Sequence, residues 1–292
     1  MKENITATVK LAESARTLAI AFIWALLAAF WSYKKQHRFR LPPFHIHVVI
    51  EGSQLFFSFA LFLSTQVIIA PLLFLIHQKQ WPFLNSSSET LFFLKFNLLV
   101  LSLTYFFLAL FYYFDFSLQQ KQSLFRFDKV WYQNFLKGAV SWVFIYPFVL
   151  FVSALLDALI FIIFDVAPSN QNVVEQFKLA LSSAPLTIWM TFIIACIVPV
   201  AEEFLFRGLL QSWLKQRFEN RMIAIAISAL VFALFHYSSE QGVTNFQLLT
   251  TLFLLGSFLG YLYEKYNTLW ASIGLHSTFN SISALLIGIN QL

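Results

Sequence analysis

Long, uninterrupted apolar stretches leave this chain very few possible folds. Eight stretches are bounded by polar or charged residues, at 17–33, 52–76, 91–114, 138–164, 185–214, 222–236, 246–263 and 269–289. A bilayer core about 30 Å thick is crossed by roughly 20 apolar helical residues, a length that most of these stretches approach or exceed. Because they lack the alternation of barrel strands, and since lipid offers no partner to unpaired backbone groups, only helices fit. The sequence therefore predicts an all-α fold, a polytopic transmembrane bundle of about eight helices.

The composition supports a membrane protein and excludes several other classes. Hydrophobic residues make up 59% of the chain and charged residues 11%, whereas soluble domains carry about 25% charged residues. This excludes a disordered chain and argues against a soluble enzyme. The single cysteine, Cys196, excludes a disulfide framework or a cysteine-built metal site, since both need several thiols. The basic residues lie between the apolar stretches rather than along one polar face, so we expect a lipid bilayer as partner and not nucleic acid.

The chain shows no sign of a second soluble domain, an internal repeat or a low-complexity tract. We therefore expect one integral membrane domain over residues 1–292. Within it, residues 1–180 provide accessory helices, and residues 181–292 form the core that carries the motifs described next. The expected location is the bacterial cytoplasmic membrane, which the protein crosses several times.

The fifth apolar stretch contains three ionisable residues, Glu202, Glu203 and Arg207. A charge at the bilayer centre costs about 2.5 to 3.5 kcal/mol, so each one needs a partner or a function. Glu203 and Arg207 are four residues apart and share a helix face, which predicts an ion pair between them. Glu202 points about 100° away from Glu203 on a helix and is not satisfied by that pair. An unpaired carboxylate inside the membrane is a candidate functional residue.

Two further stretches place histidines in apolar helices. Phe232 precedes His236 by one turn, and His276 precedes Asn280 by one turn. A single buried histidine is more often a hydrogen-bonded core residue than a catalyst. Together with Glu202, however, these polar residues supply a base and several donors to one pocket, which is most of the chemistry that hydrolysis requires.

These three motifs resemble those of the CAAX-protease and bacteriocin-processing family, a group of intramembrane endopeptidases. The motifs are Glu-Glu-x-x-x-Arg from Glu202, Phe-x-x-x-His ending at His236, and His-x-x-x-Asn from His276. Their order and approximate spacing are similar to those of the family, and the resemblance covers about residues 185–289. It implies hydrolysis of a peptide bond in a membrane-bound or lipid-modified protein or peptide.

The resemblance also implies a role for each motif residue. Glu202 and His236 activate the attacking water. His276 and Asn280 donate hydrogen bonds to the tetrahedral oxyanion, each worth about 3 to 4 kcal/mol in well-studied hydrolases. The remaining motif residues, which give structural support, are Glu203, Arg207 and Phe232.

The family has also been described as metalloproteases, which leaves zinc as an alternative. One glutamate and two histidines can supply the three protein ligands of a catalytic zinc site. The chain lacks a His-Glu-x-x-His pair, and Asn280 suits an oxyanion better than a zinc ion. We therefore expect a reaction without metal or other cofactor, with zinc as the alternative.

Two other functions are compatible with the sequence. In a proton-coupled transporter, Glu202, the intramembrane Asp157 and the two histidines form a relay, because such residues also mark transport pathways. No inverted repeat or pair of broken helices supports this reading. The other alternative is a non-catalytic immunity or scaffold protein of the same fold, although all four candidate catalytic residues are present.

Proline and glycine predict local geometry near the motifs. Pro199 removes a helix hydrogen bond and clashes with the carbonyl one turn earlier, at Ala195, so we expect the helix to bend just before Glu202. In the seventh stretch, Gly256 and Gly260 form a small-residue motif that predicts close packing of two helices.

Overall fold

The computed structural model describes residues 2–34, 40–77, 89–166 and 172–289, and these form helices with no strand among them. The α-helices are α1 Lys2–Lys34, α2 Gly52–Ser64, α3 Ala70–His77, α4 Glu89–Asp115, α5 Leu118–Phe125, α6 Trp131–Phe164, α7 Asn172–Ala180, α8 Ala184–Phe192, α9 Val198–Glu203, α10 Ser212–Phe218, α11 Arg221–Leu234, α12 Asn245–Tyr266 and α13 Leu269–Ile289. π-Helical segments link α2 to α3, α8 to α9 and α9 to α10, and a 3-10 turn precedes α12; they are Thr65–Ile69, Ile193–Ile197, Phe204–Gln211 and Ser239–Thr244.

Seven segments of the described chain are long and apolar enough to cross a membrane, which confirms the predicted fold class. They are Arg16–Lys34, Gly52–Leu75, Thr90–Asp115, Trp131–Phe164, Ala184–Phe218, Ser239–Tyr266 and Leu269–Ile289. The sixth apolar stretch, 222–236, is the shortest of the eight and corresponds to α11, a helix of 14 residues. It is shorter than a full span of about 20 residues.

The helices that carry the motifs share one apolar core. Phe206 packs edge-to-face on Phe232, with ring centroids 5.2 Å apart and ring planes at 84°. Such aromatic pairs contribute about 0.5 to 1.5 kcal/mol beyond area burial. The other buried core residues of this region come from the α9–α10 segment, α12 and α13, and include Phe204, Leu205, Leu209, Tyr263, Leu269 and Ile273. The polar motif residues are therefore held by large, tightly packed side chains.

Two glycines allow α6 to pack directly against α13, the helix of the third motif. A Cβ atom at Gly138 would overlap the carbonyl oxygen of Ala271, and one at Gly274 would overlap the carbonyl oxygen of Phe135. Backbone atoms cannot rotate away as the end of a side chain can. Only glycine fits at these two positions, and the contact fixes α6 against the helix that carries His276.

We expect Gly274→Ala to destabilise the fold. Overpacking costs about 1 to 3 kcal/mol, whereas replacing a helical glycine by alanine gains only about 0.5 to 1 kcal/mol. The clash therefore outweighs the gain, and the thermal midpoint of the detergent-solubilised protein is expected to fall. Gly288→Ala on the same helix is the matched control, because nothing lies within 4 Å of a Cβ there. If both substitutions lowered the thermal midpoint equally, the close contact between Gly274 and the Phe135 carbonyl would be contradicted.

The small-residue motif of α12 brings backbones together, as the sequence predicted. A Cβ at Gly256 would lie 3.2 Å from the Cα of Ala229 in α11. At Gly260 the space is taken by the side chain of Gln211, whose amide donates to the Gly260 carbonyl at 3.1 Å. The two glycines thus place α12 against α11 and against the segment that follows the first motif.

Candidate active site

The first motif lies where the helical register changes. The fifth apolar stretch consists of α8, a π-helical segment, the short α9, a second π-helical segment and α10. Pro199 occupies the first turn of α9, and Val198 before it donates its N–H to Ile193, five residues back. The sequence predicted that the proline would affect the carbonyl of Ala195, which holds for an α-helical register. In the π register that affected carbonyl is instead one residue earlier, at Ile194.

Glu203 and Arg207 form the ion pair that their spacing predicted. The Arg207 Nη1 atom lies 2.8 Å from Glu203 Oε1, and both side chains are 0% exposed. The guanidinium also donates to the carbonyl of Gly256 at 3.2 Å and lies over the ring of Phe232, 4.5 Å from its centroid. The pair therefore connects the first motif to α11 and α12.

His276 lies between the two glutamates of the first motif. Its Nδ1 is 2.8 Å from Glu203 Oε1, and its Nε2 is 3.7 Å from Glu202 Oε2. An ionised carboxylate only accepts hydrogen bonds, so the nitrogen that faces Glu203, Nδ1, is the donor of that contact. The Glu202 side chain is 13% exposed, whereas that of Glu203 is fully buried. Glu202 is thus the carboxylate that a water molecule can reach.

The orientation of His236 defines which of its nitrogens is available. Its Nδ1 lies 2.9 Å from the backbone carbonyl of Phe232. A carbonyl only accepts, so Nδ1 carries the proton and Nε2 keeps a free lone pair. The Phe232 ring lies 4.8 Å from the His236 ring and 6.0 Å from the His276 ring, centroid to centroid. The three motifs therefore meet around this aromatic side chain.

Asn280 is held by a contact that the sequence did not indicate. Its Nδ2 donates to the backbone carbonyl of Ile194, 2.9 Å away, in the π-helical segment before α9. Asn280 also lines an apolar cavity of about 280 Å³, together with residues such as Phe177 and Thr251. A primary amide has two N–H groups, so one donor remains after the bond to Ile194.

Sequence reasoning did not single out Tyr105, which comes from the accessory helix α4. The side chain of Tyr105 is buried. It lines an apolar cavity of about 460 Å³ together with Ala201 and Phe204, the close sequence neighbours of Glu202. Nothing in the sequence distinguishes this tyrosine from the others in apolar stretches, so only the packing of α4 identifies it.

The zinc alternative depends on which side chains of the site could serve as ligands. Within the described residues, no group of three or more His, Cys, Asp or Glu side chains is placed to hold a metal ion. The zinc alternative requires Glu202, His236 and His276 as a ligand set. The Nδ1 atoms of both histidines face other partners, which leaves Nε2 of each ring as the nitrogen that could bind a metal. The reaction without metal stays a prediction, and no step proposed below passes through a metal.

A comparison with known protein families agrees with the resemblance that the three motifs indicated. Residues 184–282 match the family described as Rce1-like, type II CAAX prenyl endopeptidase. The match starts at α8 and ends within α13, so it includes all three motifs, while α1 to α7 lie outside it. No match arises among curated proteins or among solved structures. The seven described segments that are long and apolar enough to cross a membrane, together with this match, support an integral, multi-pass membrane protein. Residues 184–282 are thus similar to the Rce1-like family, which confirms the resemblance that the three motifs indicated.

Proposed function

We propose that the protein is an intramembrane endopeptidase that hydrolyses a peptide bond of a membrane-bound or lipid-modified protein or peptide. The observation that carries this proposal is the meeting of Glu202 and His276, 3.7 Å apart, above the fully buried Glu203–Arg207 pair. One accessible carboxylate beside a fixed charge network is the arrangement that activated-water hydrolysis requires.

In the proposed reaction, Glu202 acts as the general base. It removes a proton from a water molecule while the water oxygen attacks the carbonyl carbon of the scissile peptide bond. The carbonyl oxygen becomes the oxyanion of a tetrahedral intermediate. When the carbon–nitrogen bond breaks, the proton passes to the leaving nitrogen, and the products are a carboxylic acid and an amine.

His236 is proposed to orient the water and to transfer the proton. Because Nδ1 is fixed on the Phe232 carbonyl at 2.9 Å, the free Nε2 lone pair can accept a hydrogen bond from the water. After Glu202 has taken the water proton, that proton passes to Nε2 of His236 and from there to the leaving nitrogen, which returns both residues to their starting state. A histidine serves this purpose because a ring nitrogen can both accept and donate a proton.

His276 and Asn280 are proposed to stabilise the oxyanion. The 3.7 Å separation between His276 Nε2 and Glu202 is longer than a hydrogen bond, so an N–H at this position can donate to a substrate oxygen instead. Its Nδ1 contact with the buried Glu203 fixes the ring. Asn280 contributes the amide N–H that is not bonded to Ile194.

We expect His236→Ala to lower kcat by about 10²- to 10⁴-fold, the usual contribution of a positioned acid or base. The protein is reconstituted into lipid vesicles, and cleavage of a membrane-anchored substrate is followed by mass spectrometry. Comparing membrane peptides from cells with the parent protein and with an inactive variant identifies the substrate. His45→Ala is the matched control, because this exposed histidine lies outside the site. Unchanged cleavage by the His236 variant would contradict the proposed role.

A further inference from the structure

The carbonyl of Ile194 lacks a backbone donor that the helical register would otherwise supply. Val198 donates its N–H to Ile193, so hydrogen bonds in this π-helical segment run five residues back. The next residue in the same register is Pro199, whose nitrogen carries no hydrogen. The bond that would follow, from residue 199 to Ile194, therefore cannot form. In an apolar environment an unpaired carbonyl is costly, so a substitute donor is required.

Asn280 supplies that donor from a different helix. Its side-chain Nδ2 lies 2.9 Å from the Ile194 carbonyl oxygen, although the two residues are 86 positions apart in the chain. We propose that the Asn280 amide replaces the N–H that Pro199 lacks, and that it thereby fixes α13 to the segment that presents Glu202. Asn280 is then a positioning residue in addition to its proposed oxyanion role.

The contact works together with the neighbouring histidine. His276 lies one turn before Asn280 on α13 and contacts Glu203 at 2.8 Å. Asn280 contacts Ile194, nine residues before Glu203, at 2.9 Å. Two contacts one turn apart fix both the rotation and the axial position of α13 relative to the α8–α9 segment. The position of Glu202 relative to His276 depends on that alignment.

A thermodynamic cycle that combines Pro199→Ala and Asn280→Ala tests the replacement directly. Any residue other than proline at 199 gives Ile194 a backbone donor: residue 199 itself in the π register, or Val198 in the α register. We expect Asn280→Ala to lower the thermal midpoint in detergent by about 2 to 4 °C when Pro199 is present. When residue 199 is alanine, the shift is expected to be at most about half as large. Equal shifts in both backgrounds would overturn the proposal.

A neighbouring polar residue on α13 provides the control. Thr278 donates its hydroxyl to the carbonyl of Gly274 in its own helix, at 2.8 Å. Thr278→Val is therefore expected to cause the same shift with either residue at 199. If Pro199→Ala does not accumulate as folded protein, Pro199→Ser takes its place, because serine also restores the N–H.

The catalytic consequence rests on the proposed function and is measured separately. If Asn280 positions Glu202, the loss of kcat caused by Asn280→Ala is about threefold or more smaller in the Pro199→Ala background, with KM unchanged. The same fold-loss in both backgrounds would show that Asn280 acts on the substrate alone, which contradicts a positioning role. If the parent protein cleaves nothing, the proposed function fails, while the stability cycle still decides whether Asn280 replaces the missing donor.

Discussion

Replacing Glu202 by glutamine is expected to reduce kcat by about 10³-fold or more while the protein remains folded. The amide has the shape of the carboxylate but cannot accept the proton of the attacking water, so the proposed base is lost. The fold is expected to survive because Glu202 is 13% exposed and does not belong to the fully buried Glu203–Arg207 pair. His276 also keeps its 2.8 Å contact with Glu203 in this variant.

The measurement compares cleavage by the parent and the variant in lipid vesicles, with the thermal midpoint recorded for both. Glu240→Gln is the matched control, since this exposed glutamate lies in the 3-10 turn before α12. We expect the control to cleave at the parent rate. A metal chelator is expected to leave cleavage by the parent unchanged. Persistent cleavage by the Glu202 variant would disprove its role as base, and loss of cleavage with the chelator would return zinc to the mechanism.

The features predicted correctly from the sequence are those that depend on local spacing or on the solvent. A bilayer requires long apolar helices, so composition alone predicted the helical bundle. The Glu203–Arg207 pair follows from a separation of four residues on a helix, and it is present at 2.8 Å. Gly256 and Gly260 predicted a close helix contact, because a residue without a side chain leaves the helix backbone accessible to any neighbouring helix.

The features that the sequence did not predict depend on how distant helices align. His276 bonds Glu203 across 73 positions of the chain, so the buried glutamate is shared between a local arginine and a distant imidazole. In the sequence, Lys215 is one of the basic residues that follow an apolar stretch, where a solvent-exposed loop is expected. In the structure it forms a 2.8 Å ion pair with Glu264, and both side chains are almost fully buried. Such pairings depend on the rotation and axial position of two helices, which spacing within one helix does not define.

The Asn280 contact shows how a small change of register alters a prediction. An α-helical register places the effect of Pro199 at Ala195, whereas the π register places it at Ile194. Asn280 then has a partner that no motif indicates. π-Helical segments of this kind are often found at functional sites, because they change which side chains and carbonyls face a pocket.

Removing the positive charge from the buried pair is expected to produce the largest loss of stability. Arg207→Met leaves Glu203 fully buried without its cation and with His276 as its remaining partner, and it removes the donor to the Gly256 carbonyl. Breaking a buried ion pair on one side costs about 3 to 5 kcal/mol. One oxygen of Glu203, Oε2, already lies buried without a hydrogen-bond partner in the described part of the chain. His276 is then the one side-chain partner that the structure shows for this carboxylate within the described residues.

A second substitution distinguishes the loss of charge balance from the loss of packing. Adding Glu203→Gln to Arg207→Met removes the unbalanced charge, so the double variant is expected to be more stable than Arg207→Met alone. The free energy of unfolding is measured in mixed detergent micelles for Arg207→Met and for the double variant. Arg126→Met is the control, because the Arg126–Asp128 pair is 58% and 35% exposed, and exposed pairs contribute about 0 to 1 kcal/mol. If Arg207→Met costs no more than this control, the buried pair is not what holds the first motif in place.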